Sequence, residues 1–283
     1  MKNTSNVVVT KASGEKVVFD PSKLRHSLQK SGADNEVIEH ILTEIQSLLY
    51  EGISTKEIYK IAFSFLRKSS RSTAARYKLK NAIYELGPSG FPFEKFIAEI
   101  LRYEKFHTQV NVIIKGHCVN HEVDVIAEKE DKHFMVECKF HNSQGNYCDI
   151  KVPLYIHSRF LDVQRQWLKS QRHKNKYHQG WIFTNTRFTR DAIQYGNCAG
   201  LMLVGWNYPN KDSLKKRIDD SGLHPVTSLT SLTKVEKKKL LDIEVVLCLE
   251  LCDHHDLLSS VGIPENRHKK ILSEVQELCG KSG

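Results

Sequence analysis

Long apolar runs are missing from this 283-residue chain. The longest candidate, Ile243–Cys252, is interrupted by Glu244 and Glu250. It falls well short of the roughly 18 residues a membrane span needs, so no membrane partner is expected. The opening stretch MKNTSNVVVTKASGEK has no continuous apolar core and no small-residue cleavage pattern, and no secretory signal is expected of it. Cysteine is sparse: the 7 residues include no C-x-x-C pair, which suits reduced thiols and a cytoplasmic protein. Internal repeats and low-complexity tracts are absent too. With 40% hydrophobic and 27% charged residues the chain is globular rather than disordered.

Acidic residues are the other shortage, 33 against 42 Lys and Arg, for a net charge of +9. They are scarcest between Ile150 and Arg190, where nine cations (Lys151, Arg159, Arg165, Lys169, Arg172, Lys174, Lys176, Arg187, Arg190) face the single acid Asp162. Tyr155, Phe160, Trp167, Tyr177, Trp181 and Phe183 are interleaved with them. Cations beside planar side chains are what a phosphodiester-binding surface uses, so DNA is the expected partner.

Two breaks divide the chain. Gly87-Pro88-Ser89-Gly90 and Ser221-Gly222 interrupt helical pattern on both sides, giving segments 1–88, 89–221 and 222–283. In the first, Val7–Val9 and Val17–Phe19 flank Ser13-Gly14-Glu15, a hairpin signal. Asp20-Pro21-Ser22 starts a helix through Lys23–Lys30, and helical spacing recurs at Val37, Ile38, Ile41, Leu42, Ile45, Leu48 and at Ile58, Ile61, Ala62, Phe65. The runs VVVTKASGEKVVFDPSKL, GISTKEIYKIAFSFL and RSTAARYKLKNAIYEL together resemble the ATP-cone, a small nucleotide-binding module of ribonucleotide reductases and their regulators. The resemblance implies ATP or dATP as a regulatory ligand. It places Lys11, Lys23 and Thr55 on the nucleotide, with Tyr59 one turn further on; the Arg that usually follows the first Lys is Ala12 here. Two ammonium groups at one end of a hairpin–helix unit suit a triphosphate. ATP-cones often mediate association, so a homo-oligomer is expected.

In the second segment Phe93, Phe96, Ile97, Ile100 and Leu101 share a helical face with Glu94 at its edge. Two strand-like runs follow. In His121–Ala127, alternation puts Glu122, Asp124 and Ile126 on one side and Val123, Val125 and Ala127 on the other. In Phe134–Phe140 it puts Glu137 and Lys139 opposite Phe134, Val136, Cys138 and Phe140. Antiparallel pairing across the polar tract Glu128–His133 would bring Asp124 near Glu137 and Lys139. Asp124…Glu137-Cys138-Lys139, with Glu94 upstream and WIFTNTRFTRDAIQYG downstream, resembles the PD-(D/E)xK nucleases, most closely the Mrr-type restriction endonucleases, over roughly Gly90–Asp220. Val123 stands where the superfamily name has Pro.

The residue types fit phosphodiester hydrolysis. The Asp124 and Glu137 carboxylates, with the Cys138 backbone carbonyl, are hard oxygen ligands for Mg²⁺ or Mn²⁺. Lys139 would orient the attacking water or contact the phosphate, and Glu94 would assist the metal. Downstream, Asp149, Lys151, His157 and Arg159 are candidates for the DNA backbone or accessory roles, with Arg165 and Arg187 as further DNA contacts. Thr184-Asn185, at the end of an apolar run, would either offer backbone N–H groups to a phosphate or simply precede a helix capped by Thr189.

The third segment reads as short helices with turns at Ser259–Gly262 and Pro264. Val261-Gly262-Ile263 resembles a helix-hairpin-helix turn, whereas Asp242-Ile243-Glu244-Val245 lacks the corresponding Gly. The expected architecture is α/β and multidomain: a hairpin-plus-helices cone, a mixed-sheet nuclease core with flanking helices, and a helical C-terminal region. The expected activity is Mg²⁺-dependent endonuclease action on DNA, of a restriction or defence kind, tuned by nucleotide. A non-catalytic, nucleotide-responsive DNA-binding regulator and a structure-specific repair or junction nuclease are the alternatives.

Overall fold

The computed structural model describes residues 7–11, 13–254 and 256–280, so Ala12 lies outside the described residues. The chain forms two compact units. One is drawn from Met1–Ile83 and His224–Gly283, and the other is Tyr84–Leu223.

The first unit opens with an antiparallel hairpin of β1 (Val8–Thr10) and β2 (Lys16–Val18), with Val9 opposite Val17. Its turn needs a left-handed residue, and Gly14 supplies it at φ +83°. Helix α1 (Pro21–Lys30) starts where expected. The Asp20 carboxylate accepts from the Ser22 N–H at 3.0 Å, and Pro21 at the first position has no N–H to satisfy. Helices α2 (Asn35–Leu48) and α3 (Thr55–Ser69) follow, the latter fixed by a reciprocal Ser54–Glu57 capping box. Val9, Leu24, Leu28, Ile38, Ile41, Ile45, Ile58, Ala62 and Leu66 are buried in one cluster, so the helical spacing of the sequence is the core stripe. Two short helices, α4 (Arg71–Tyr77) and α5 (Leu79–Tyr84), end this segment.

The second unit begins with α6 (Phe91–Tyr103), then β3 (His107–Lys115), β4 (Asn120–Lys129) and β5 (Lys132–Lys139). After β6 (Tyr147–Cys148) come α7 (Lys151–Trp167), β7 (Tyr177–Thr184), β8 (Arg187–Phe188), α8 (Arg190–Cys198), β9 (Met202–Val204) and α9 (Leu214–Ser221). The main sheet is mixed, in the order β3-β4-β5-β7-β9, antiparallel through β5 and parallel from β5 onward. Strand β6 pairs in parallel with β8 in a small second sheet, which ties the loop after β5 to the turn after β7. Helix α7 buries Ile156, Phe160, Val163 and Trp167 against Met135 and Ile182 of the sheet. Each such apolar side chain contributes about 1.5–3 kcal/mol on burial, so α7 is a firm platform for the polar groups on its other faces.

Period-two alternation does not run unbroken through β4. Val123 and Ile126, three residues apart, belong to the same core cluster under α7. The β3–β4 register is the same on either side of Asp124, but the rung between Asp124 and Asn111 is not paired, and Asn111 adopts φ +52°.

The chain then returns to the first unit. A 3₁₀ turn at Val226–Ser228 precedes α10 (Lys234–Asp242), α11 (Glu250–Asp253), α12 (Asp256–Ser260) and α13 (Glu265–Cys279). These helices enclose a cluster of Leu240, Val245, Cys248, Leu251, Leu258, Ile271 and Val275 that also takes in Ala75 of α4. The Thr227 hydroxyl donates to the Ala82 carbonyl at 2.6 Å, and the Arg76 guanidinium to the Glu277 carbonyl at 3.1 Å. The two helix ends repeat one hydrogen-bond pattern: Val245 N–H to Leu240 O at 2.9 Å and Ile263 N–H to Leu258 O at 3.0 Å. Gly262 turns at φ +81°, and Glu244 takes the matching left-handed conformation at +64° without being glycine.

Candidate active site

Parallel strands β5 and β7 end together, with Lys139 in register with Thr184. The carboxyl ends of such strands are the usual place for a ligand crevice in an open α/β sheet. Antiparallel pairing sets Val125 opposite Val136, which carries Asp124 to the level of Glu137 and Cys138. The Asp124 carboxylate accepts the Cys138 N–H at 2.7 Å. Lys139 is exposed at the strand end. Glu94 lies in the first turn of α6, its carboxylate so near the backbone that a Cβ on Gly90 would stand 3.1 Å from Oε1.

Three acids share this strand end. Burial, then the charges of Asp124 and Glu137, push Glu94 up to about 7. Burial and the Asp124 charge push Glu137 up to about 7 as well, against the pull of Arg159 and Lys139. Asp124 is raised by burial, with its hydrogen bond to Cys138 opposing. Carboxylates that hold their protons so tightly are poised to exchange them for a cation.

Glu137 is already paired. Arg159, on α7, donates to it at 2.8 Å and with its other nitrogen to the Glu122 carbonyl, and its guanidinium lies 5.4 Å from the Tyr155 ring. The sequence suggests Arg159 as a DNA contact; the structure makes it a partner of the acidic cluster instead. Glu94, Asp124 and Glu137 do not close into a three-ligand set, because Asp124 is turned to the Cys138 amide and Glu137 to Arg159. Among the described residues, the group of three metal-type donors within 4.8 Å of one another is Glu128, His133 and His173.

Several other positions differ from the sequence expectation. Thr184 and Asn185 are buried, so they are not free to meet a phosphate. The Asn185 amide donates to the His141 carbonyl at 2.8 Å and accepts the His141 N–H at 2.9 Å, clamping the chain two residues beyond Lys139 to the end of β7. Thr184 and Thr186 bond each other at 3.1 Å, and Thr189 caps α8 through the Ala192 N–H. Asp149 accepts the Lys151 N–H at 3.0 Å at the start of α7, and His157 meets the Tyr195 hydroxyl at 2.8 Å. Phe160, Trp167, Trp181 and Phe183 are core, which leaves Tyr155 and Tyr177 as the exposed rings of the basic stretch. Lys151, Arg165, Lys174, Arg187 and Arg190 remain exposed cations. Arg172 and Lys176 lie against Glu128, and Lys169 against His117.

In the hairpin unit Thr10 bridges in parallel to Ser54, and its N–H donates to the Ile53 carbonyl at 3.0 Å. This brings Lys11 to the N-terminal end of α3, beside Thr55. Lys11 is held by Glu15 at 2.9 Å, while Lys23 is exposed and 3.6 Å from Asp20. The Tyr59 ring is stacked on Tyr77, centroids 4.9 Å apart and 11° from parallel, so it is committed to α4 rather than to the lysines.

Residues 7–84 match the ATP cone domain, and residues 224–279 match the AF1548-like C-terminal family. An uncharacterized protein of Archaeoglobus fulgidus is 34% identical over 185 residues, 65% of this chain and 100% of that protein. A crystal structure of AF1548, described as a protein of unknown function, is similar at 32% identity with a TM-score of 0.56. It covers 69% of this chain and 100% of its own. No helix among the described residues is long and apolar enough to cross a membrane. The N-terminal hairpin and helices are thus an ATP-cone, and the chain belongs to the AF1548-like family.

Proposed function

We propose that this chain is a divalent-cation-dependent DNA endonuclease of the PD-(D/E)xK class whose activity is tuned by ATP or dATP at the ATP-cone. The observation that carries the reading is the gathering of Glu94, Asp124 and Glu137 at one strand end, where burial raises the proton affinity of all three and the Asp124 charge adds to that of Glu94 and Glu137. Such a group invites a hard dication, and Asp124, Glu137 and the Cys138 carbonyl would hold Mg²⁺ or Mn²⁺. A bound ion supplies a lowered pKa for its water and offsets charge on the phosphate. Arg159 keeps Glu137 oriented at the strand end. Lys139, exposed on the same strand, would orient the attacking water or steady a phosphate oxygen. In-line attack would leave a 5′-phosphate. Lys151, Arg165, Arg187 and Tyr155 offer the exposed cations and ring that a DNA backbone uses. A homo-oligomer formed through the cone is part of the proposal.

Asp124→Ala and Lys139→Ala should each slow cleavage at least about a hundredfold, the scale of a lost acid–base or electrostatic group, while DNA affinity changes little. Undiminished cutting by both variants would refute the assignment. One observation favours a second reading, a binding-only, nucleotide-responsive DNA regulator: Arg159 already neutralises Glu137 without an ion. A binding-only protein would bind DNA equally well with and without Mg²⁺ and cut it in neither. Equilibrium dialysis tests the cone. Lys11→Ala and Lys23→Ala should weaken ATP and dATP binding, and wild type that binds neither at millimolar nucleotide would remove the regulatory ligand.

A further inference from the structure

At the far end of β5 from the carboxylates, three strands and a loop bring nitrogen donors around one carboxylate. Glu128 of β4 and His133 of β5 are paired across the hairpin, His178 of β7 is in register with His133, and His173 comes from the loop between α7 and β7. The two oxygens of Glu128 divide their partners. Oε2 faces Lys176 at 3.0 Å and Arg172 at 3.8 Å. Oε1 faces His133 Nε2 at 3.2 Å and His173 Nδ1 at 4.0 Å. His133 is 2% exposed and its Nδ1 has no partner; Nδ1 of His173 is also buried and without one. One ligand atom from each of Glu128, His133 and His173 lies within 4.8 Å of the others; His133 Nε2 meets Glu128 Oε1 directly, and the buried Nδ1 of His173 has no hydrogen-bond partner.

We propose that Glu128, His133 and His173 form a zinc site, with Oε1, Nε2 and Nδ1 as the ligand atoms and water in the fourth position. Two imidazoles and a carboxylate are a borderline donor set that suits Zn²⁺ over Mg²⁺ or Ca²⁺. The His133 and His173 rings stack at 4.5 Å and 13° from parallel, so an ion reaches both lone pairs when the His173 ring turns about its Cβ–Cγ bond. Its Nδ1 has no hydrogen bond to lose in that turn. Behind it, the His178 Nε2 atom donates to the His173 carbonyl at 3.0 Å and holds the loop backbone in place. Lys176 and Arg172 keep Oε2, so the ion does not displace them. The ion would add a further tie between the sheet and the loop bearing Arg172, Lys174 and Lys176, beside the His178 hydrogen bond and the Glu128 ion pairs. This site is independent of the carboxylate cluster at Asp124 and of the nuclease reading.

The test is Zn²⁺ alone, added to the untagged full-length chain and followed by chelator competition and by elemental analysis after gel filtration. Wild type and Asp124→Ala should each retain one zinc per chain. His173→Gln, a half-buried position that should leave the fold intact by circular dichroism, and Glu128→Gln should bind it at least about tenfold more weakly, since even outer partners of metal ligands are worth that much. Cobalt in place of zinc should give the visible bands of four-coordinate Co²⁺ in wild type and not in His173→Gln. No zinc on the wild type would overturn the site. So would zinc or cobalt spectra unchanged by His173→Gln, or zinc lost on Asp124→Ala and kept by His173→Gln.

Discussion

Asn185 occupies the position where sequence pattern and structure differ most in meaning. Thr184-Asn185 at the end of an apolar run suggests backbone N–H groups for a phosphate, yet the pair is buried and both ends of the Asn185 side-chain amide are spent on the main chain of His141. Asn185→Ala would strand a buried N–H and C=O, at about 1–3 kcal/mol. It should lower the urea midpoint and the cleavage rate together, because the segment bearing Lys139 loses its tether; an unchanged midpoint would show that the clamp carries no stability. His224 gives a pH prediction. Burial, with Arg76 nearby, depresses its imidazole to about 4. Because the folded value lies below the unfolded one, its contribution is full above about 6.5 and is lost as pH falls toward 4, on the order of 3 kcal/mol in all. His224→Gln should flatten the stability profile between pH 6.5 and 4 relative to wild type, and parallel profiles would remove His224 as the cause. The strand positions of Asp124, Glu137 and Lys139 were legible because short apolar runs and a polar turn mark β4 and β5. Asn185 and Arg159 were not legible in these roles, since their partners lie 44 and 22 residues away.

At the scale of elements, close packing outweighs local propensity in α8. Gly196 sits in this helix, where Gly→Ala ordinarily gains about 0.5–1 kcal/mol. A Cβ there would stand 2.6 Å from Cδ1 and 2.9 Å from Cγ of Leu203, a side chain only 1% exposed that has no room to yield. Overpacking of this kind costs about 1–3 kcal/mol, so Gly196→Ala should destabilise the protein on balance, and a raised melting temperature would contradict the packing described. The hairpin and α1–α3 were readable from Gly14, Asp20 and the helical spacing of isoleucines and leucines. Strand β3 is unexpected, although Thr108, Val110, Val112 and Ile114 alternate correctly. Helix α7 is likewise unexpected, its stripe of Ile156, Phe160, Val163 and Trp167 being masked by the basic groups between. The unpaired rung at Asp124 has no sequence signal, because the left-handed Asn111 opposite it depends on tertiary pairing.

For the whole molecule, the helical C-terminal segment does not stand alone but shares a unit with the cone, packing on Ala75 and bonding Ala82 and Arg76. No local pattern announces this, because the bonded partners are 145 and 201 residues apart. A chain ending at residue 223 should lose nucleotide affinity and melt lower in its cone, by about 4–8 °C for each kcal/mol of lost contact. A cone as stable and as tight for ATP without the segment would contradict the shared core. The most direct test of the central claim is nicking of supercoiled plasmid by purified wild type and Lys139→Ala, in Mg²⁺ and in chelator. Relaxation by wild type in Mg²⁺ alone, and by Lys139→Ala in neither, is predicted. Wild type that binds the plasmid yet leaves it supercoiled in both Mg²⁺ and Mn²⁺ would contradict it.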